Sequence, residues 1–152
     1  MTRIVTTILI ERPPAMVFDY VTSPGYWPQW HPSSVSAEMP DGQVADHPLG
    51  AGEQAREYIA VGSHRDHVVW TALRCECPRH WVISGRAGSG GSAILTYELE
   101  AQGPGATLFR RELVYSLPQG VRFLWLGPLI HWQMERSSRL GLRQLKAVLE
   151  RG

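Results

Sequence analysis

The chain has 152 residues, enough for one domain that removes roughly two-thirds of its unfolded surface from water. Hydrophobic residues make up 43% and charged residues 19%, the balance of a globular protein rather than a disordered one. A net charge of +1 gives no large pull toward nucleic acid. No stretch is long and apolar enough to span a bilayer. The opening Met-Thr-Arg-Ile-Val lacks the apolar run and cleavage site of a signal peptide, so a cytoplasmic location is expected.

Arg3 to Glu11 is rich in Ile, Val and Thr, which predicts a strand. Pro13 and Pro14 stop it, and Pro14 is placed as the first residue of a short helix over Ala15 to Val21. Ser23-Pro24 reads as an N-cap and first turn, opening a second short helix that ends at about Trp30, before Pro32. Trp27 and Trp30 share a side of it, as a core plug, the mouth of a pocket, or both. Val35 to Met39 predicts a short strand. Pro40 to Gly52 is a Gly-, Pro- and Asp-rich loop, long enough to act as a lid or mobile segment.

A series of strands follows: Glu53 to Val61, His67 to Cys77, His80 to Ala87, Ser92 to Ala101 and Ala106 to Leu117. Gly and Pro punctuate each boundary, and the short connections imply antiparallel hairpins. The Gly-rich run Gly85 to Ser92 is one such hairpin turn. It is not a phosphate loop, since no Lys-Ser/Thr pair follows and it leads into a strand.

Cys75 and Cys77 lie two apart on one segment, a poor geometry for a disulfide. With His80 nearby a metal site can be drawn, but zinc uses wider spacings and a second ligand pair, so two free thiols are expected. The six histidines show no H-E-x-x-H spacing. No G-x-S-x-G elbow is present, and His64 and His67 merely flank a turn. The residues thus justify no catalytic set, no metal site and no cofactor.

The last element, Leu126 to Glu150, is a long amphipathic helix. With Ile130 at the centre of its face, Leu126, Met134, Ser137, Gly141, Leu145 and Val148 fall on the same side. Arg136, Arg139, Arg143, Lys146 and Glu150 fall opposite, as a solvated stripe. Ser137 and Gly141, with Ser138 at the edge, occupy positions where a solid core wants Leu or Ile. Either the backbone sits tight against a neighbour there or the helix leaves a hole; the reading adopted is the hole.

One curved sheet has an apolar face to cover, and this helix is the only large element left to cover it. The predicted fold is α+β: a seven-stranded antiparallel sheet wrapped around the C-terminal helix, with two short helices after the first strand. Alternation in the last strand places Thr107, Phe109, Arg111, Leu113, Tyr115 and Leu117 inward. Ala55, Glu57, Ile59 and Val61, then Trp70 and Ala72, then Leu95, Tyr97 and Leu99, are the inward sets of the other strands. Buried charges demand partners, which predicts a Glu57–Arg111 ion pair. That pair either fixes sheet register or leaves Arg111 to hold the polar head of a bound molecule.

The order of elements and several strings resemble the START-related helix-grip (SRPBCC) superfamily, in its polyketide cyclase/dehydrase and lipid-transport branch. The strings are Ile10 to Val21 (IERPPAMVFDYV), Tyr26 to Pro32 (YWPQWHP), Leu95 to Leu99 (LTYEL), Thr107 to Tyr115 (TLFRRELVY) and the helix end Leu145 to Leu149 (LKAVL). The resemblance covers nearly the whole chain, 1–152, as a single helix-grip domain. It implies a deep cavity between sheet and helix that holds a lipid, sterol or polyketide, with Glu57, Trp70, Tyr97, Arg111 and Tyr115 on its wall. Trp30, Phe109, Met134 and Ser138 complete the candidate pocket residues. The resemblance carries over no catalytic set.

Three functions are compatible with this reading. The first is a carrier or sensor of a small hydrophobic ligand. The second is a cyclase/dehydratase in which Arg111, Glu57, Tyr97 or His131 positions a polyketone and moves protons. The third is an adaptor using Trp132, on the polar side of the helix. The expected partner is a small hydrophobic molecule, without nucleic acid or integral membrane, bound by a monomer or homodimer.

Overall fold

A computed structural model describes residues 1–44 and 46–151. Strand β1 (Thr2–Ile10) is followed by α1 (Pro14–Val21), a single 3-10 turn (Pro24–Tyr26) and the one-turn helix α2 (Trp27–Trp30). Then come β2 (Ser34–Glu38), β3 (Gln54–Val61), β4 (His64–Glu76), β5 (His80–Ala87), β6 (Ser92–Ala101), β7 (Thr107–Ser116) and the long helix α3 (Val121–Arg151). The seven strands form one antiparallel sheet in the order β1-β7-β6-β5-β4-β3-β2, curled around α3 as a half-barrel.

The inward faces follow from strand alternation. In β7 every second side chain is buried, beginning with Thr107. Register then sets cross-strand neighbours: Tyr97 opposite Arg111, Trp81 opposite Tyr97, and Trp70 opposite Gly85. A Cβ on Gly85 would lie 2.6 Å from Trp70 Cε3, so the absent side chain is what lets that indole approach β5 this closely.

Helix α1 buries Val17, Phe18 and Val21. Ser23 does not cap the turn that follows; its hydroxyl donates back to the Asp19 carbonyl at 2.6 Å. The connection from β2 to β3 is tied down near its end rather than free as a lid. Leu49 is fully buried, its N–H donates to the Thr22 carbonyl at 3.0 Å, and its carbonyl accepts the Trp81 indole N–H at 2.9 Å.

Helix α3 differs from expectation in length and phase. It starts at Val121 and runs through Pro128. Among the described side chains its buried side consists of Ile130, Ser138, Gly141, Leu142, Leu145 and Leu149. Leu126 is 39% exposed, and Ser137 and Val148 are only half-buried. The C-terminal end is sewn to β1. Lys146 Nζ donates to the Leu9 carbonyl at 2.9 Å, the Glu150 carboxylate accepts the Glu11 N–H at 2.8 Å, and Arg12 donates to the Glu150 carbonyl at 2.8 Å. Leucines 142, 145 and 149 enter the core there.

The two small residues of the waist serve different ends. At Gly141 a Cβ would meet His31 Cδ2 and Pro32 Cδ at 3.4 Å, so this glycine is a close approach to the α2–β2 connection. The hollow begins one turn earlier, at Ser138.

Candidate functional site

Between the N-terminal half of α3 and strands β3 to β7 lies a cavity of about 140 Å³. Its walls are mostly apolar: Ile59, Val68, Leu113, Ile130 and Met134 among others. Exposed Ser89 is part of its rim, so it reaches the surface at the β5–β6 turn. A second hollow of about 40 Å³ lies deeper, lined by Trp27, Trp30, His31, Tyr97 and Arg111 with Glu57 and Trp70. His31, Glu57, Trp70 and Arg111 border both spaces, so an apolar chamber continues into a small polar end.

The polar end is built from three elements. Strand β3 carries Glu57, 8% exposed, whose Oε1 accepts the Trp70 indole N–H at 3.0 Å. Burial raises its carboxyl above the ordinary range, opposed in part by the Ser34 hydroxyl, by that N–H and by the charge of Arg111. Strand β7 carries Arg111, 6% exposed, whose Nη1 donates to Ser138 Oγ at 2.9 Å, while its Nε is buried without a partner. The α2–β2 connection carries His31. Its Nδ1 accepts the Ser33 N–H at 3.2 Å and its Nε2 is buried without a partner. Burial, and then the nearby guanidinium, hold the imidazole well below its usual range, so the ring is neutral. Beneath them Tyr97 is pushed up to about 12 by burial, with the charge of the neighbouring Arg111 guanidinium and hydrogen bonding to it pulling the other way. The Tyr97 ring stacks obliquely on Trp81 and edge-on with Phe109, each at 5.0 Å between centroids.

The expected Glu57–Arg111 ion pair does not form among the described residues; each side chain takes a neutral partner instead. The reason is the sheet order. Three strands separate β7 from β3, which at about 4.8 Å per step sets the two backbones roughly 19 Å apart along the sheet. Curling turns the side chains toward each other across the hollow without closing it.

Of the expected pocket residues, Glu57, Trp70, Arg111, Tyr115, Met134 and Ser138 line the larger cavity, and Trp30 and Tyr97 line the inner hollow. Phe109 lines neither; it is fully buried behind Tyr97. His31 was not anticipated. The signal for it was the string Trp30-His31-Pro32, in which proline ends the helix and turns the preceding side chain toward α3. Near the outer end, the Tyr115 hydroxyl lies 2.7 Å from His131 Nδ1, and His131 Nε2 lies 3.4 Å from the Glu135 carboxylate.

Among the described residues no group of three or more His, Cys, Asp and Glu side chains is placed to hold a metal ion. Cys75 and Cys77 are free. No described helix is long and apolar enough to cross a membrane.

The chain is similar in structure to a protein from Thermus thermophilus, with a TM-score of 0.78 and 14% identity over 96% of this chain and 95% of the other. It is similar to a START superfamily protein from Mycobacterium smegmatis, with a TM-score of 0.72 and 14% identity over 98% and 97%. It is also similar to the Zhui aromatase/cyclase of a Streptomyces species, with a TM-score of 0.76 and 13% identity over 99% and 94%. Identities this low establish the shared fold. No curated protein matches the chain in sequence. The sequence model of one family, described as polyketide cyclase / dehydrase and lipid transport, matches residues 1–150. With a curled sheet, a gripped helix and a hollow between them, the chain belongs to the polyketide cyclase/dehydrase and lipid transport family.

Proposed function

We propose that the protein binds a small hydrophobic or amphipathic molecule between the sheet and α3, as a carrier or sensor. The observation that carries this reading is the apolar cavity of about 140 Å³ under the slim part of the helix. A dry apolar cavity of about 150 Å³ holds a benzene molecule, so the enclosed part of the ligand is about one ring or a short acyl segment. A longer lipid or polyketide extends past the rim at Ser89. Native mass spectrometry of gently purified protein, with a thermal-shift panel of apolar compounds, tests it. A ligand at 100 times its Kd adds about 2.7 kcal/mol, which for a chain of this size raises Tm by roughly 5–10 °C. Absence of any co-purified molecule, with no panel member raising Tm, overturns the reading.

A second reading, a cyclase/dehydratase-type enzyme, is favoured by the Tyr115–His131–Glu135 chain beside the cavity. A cavity-lining hydroxyl hydrogen-bonded to an imidazole, with a carboxylate 3.4 Å from the other ring nitrogen, can move a proton to or from a bound enolisable carbonyl. Its test is turnover of a poly-β-ketone by the intact protein and by Tyr115→Phe. Turnover that Tyr115→Phe abolishes while ligand binding persists supports the enzyme; no turnover by either protein leaves the carrier.

A further inference from the structure

The inner hollow is bordered by three residues whose buried hydrogen-bond donors lack acceptors. Arg111 is buried with no carboxylate paired to it among the described residues, and its Nε–H has no acceptor. A buried charge in that condition is costly. His31 adds a second donor whose identity is fixed by geometry. Its Nδ1 accepts a backbone N–H, so in the neutral ring the proton sits on Nε2, which is buried and unpartnered. Trp30 adds a third: its indole nitrogen can only donate, and it is buried without an acceptor in a residue 1% exposed. All three residues line the same hollow of about 40 Å³, whose size suits one carboxylate. The carboxyl of Glu57, which also borders the hollow, already accepts from Trp70.

Building on the cavity reading above, we propose that the ligand is a monocarboxylate with an apolar body of about one ring. Its carboxylate sits in the inner hollow against the Arg111 Nε–H, His31 Nε2–H and Trp30 Nε1–H groups. The ring fills the outer chamber between Leu113, Ile130 and Met134. The polar end thereby selects an acid over its neutral isostere, because an amide or ester leaves the guanidinium unneutralised and turns a donor or a methyl toward donors.

Calorimetric titration of the full chain with benzoate, cyclohexanecarboxylate, benzamide and toluene tests this, together with the indole N–H signals of the nitrogen-15-labelled protein. The Trp30 signal is assigned by its loss in Trp30→Phe. The carboxylates are expected to bind at least about tenfold more tightly than benzamide or toluene. Benzoate is expected to move the Trp30 indole signal downfield. Arg111→Met is expected to keep toluene binding and lose the preference for the acid. Toluene binding as tightly as benzoate, or a Trp30 indole signal unmoved by saturating benzoate, overturns the inference and leaves the cavity reading standing. Binding of none of the four compounds overturns the inference, and the cavity reading then falls only if the wider thermal-shift panel and native mass spectrometry also show no ligand. The indole readout uses the unaltered protein, so it decides the matter even if Arg111→Met does not fold.

Discussion

Gly85→Ala isolates the contact that shapes the chamber. An ideal Cβ at position 85 falls 2.6 Å from Trp70 Cε3, 2.7 Å from Cζ3 and 2.7 Å from Val68 Cγ1, so atoms must move. Trp70 has little freedom: its N–H is held by Glu57 at 3.0 Å and its ring packs edge-on with Trp27 at 6.4 Å. Overpacking of this kind costs about 1–3 kcal/mol. Loss of the indole–carboxyl bond adds about 1–2 kcal/mol, and the better strand behaviour of alanine returns about 0.5–1 kcal/mol. The net expectation is about 1–4.5 kcal/mol of destabilisation, a fall in Tm of roughly 2–18 °C for a chain of this length. Thermal melts by circular dichroism measure it. In a Trp70→Leu background the same alanine should cost at least about 1 kcal/mol less, with Val68 left as the residual clash. A Tm within about 1 °C of the parent, or full cost in the Trp70→Leu background, would refute the placement of the indole on Gly85.

Three further substitutions probe the same region. Ser138→Ala removes the hydroxyl that accepts from Arg111 at 2.9 Å and should cost about 1–3 kcal/mol by denaturant unfolding; no change would mean the guanidinium finds another acceptor. Gly141→Ala places a Cβ 3.4 Å from His31 and Pro32, ordinary contact, so helix propensity should dominate and stabilise by about 0.5–1 kcal/mol; a loss of that size instead would show the α2–β2 connection pressed harder against α3. Glu57→Gln tests linkage. The folded Glu57 carboxyl is raised above 4.5 by burial, so the native state holds its proton more tightly than the unfolded chain. Its contribution is full below about pH 4.5 and declines as pH climbs through the raised folded value. The stability of Glu57→Gln minus that of the parent should therefore increase with pH across that window, and an opposite slope in pH-dependent urea midpoints contradicts it.

What the sequence revealed depended on how local the cause was. Alternation along single strands is local, and it placed Glu57, Trp70, Tyr97, Arg111 and Tyr115 on the inner face correctly. Turn chemistry is local as well, so the hairpins fell where Gly and Pro mark them. Helical periodicity about Ile130 predicts a stripe through Leu126 and Ser137, whereas burial follows Ser138, Leu142, Leu145 and Leu149. A pattern broken by Ser and Gly has two plausible stripes, and contact with β1 selects one. Phe109 obeys the alternation of β7 yet misses the cavity, because Tyr97 on the next strand stands in front of it. The absent Glu57–Arg111 bond is a property of curvature: alternation says that both point inward, but only sheet order and curl say how far apart they stay. His31 escaped notice because its role depends on Gly141 admitting the α2–β2 connection against the helix, a contact between residues more than 100 positions apart.

Arg111 joins the sheet to the helix and faces the inner hollow as well. A buried guanidinium that ties the sheet to the helix through Ser138 is a structural device, and its replacement should destabilise. A guanidinium held in a protein cavity for a ligand anion is a functional device, and it carries a desolvation cost that the unliganded fold bears alone. Replacing a buried guanidinium that has no carboxylate partner by an apolar residue removes its desolvation cost, and Ser138, freed of its donor, can turn its hydroxyl to the carbonyl four residues back. Arg111→Met is therefore expected to raise Tm by roughly 2–10 °C while weakening benzoate binding, the trade between stability and function found where a site is built against the fold's own preference. If Arg111→Met instead melts lower than the parent by a comparable amount and benzoate affinity is unchanged, the arginine belongs to the scaffold, and the anion site at the inner hollow goes with it.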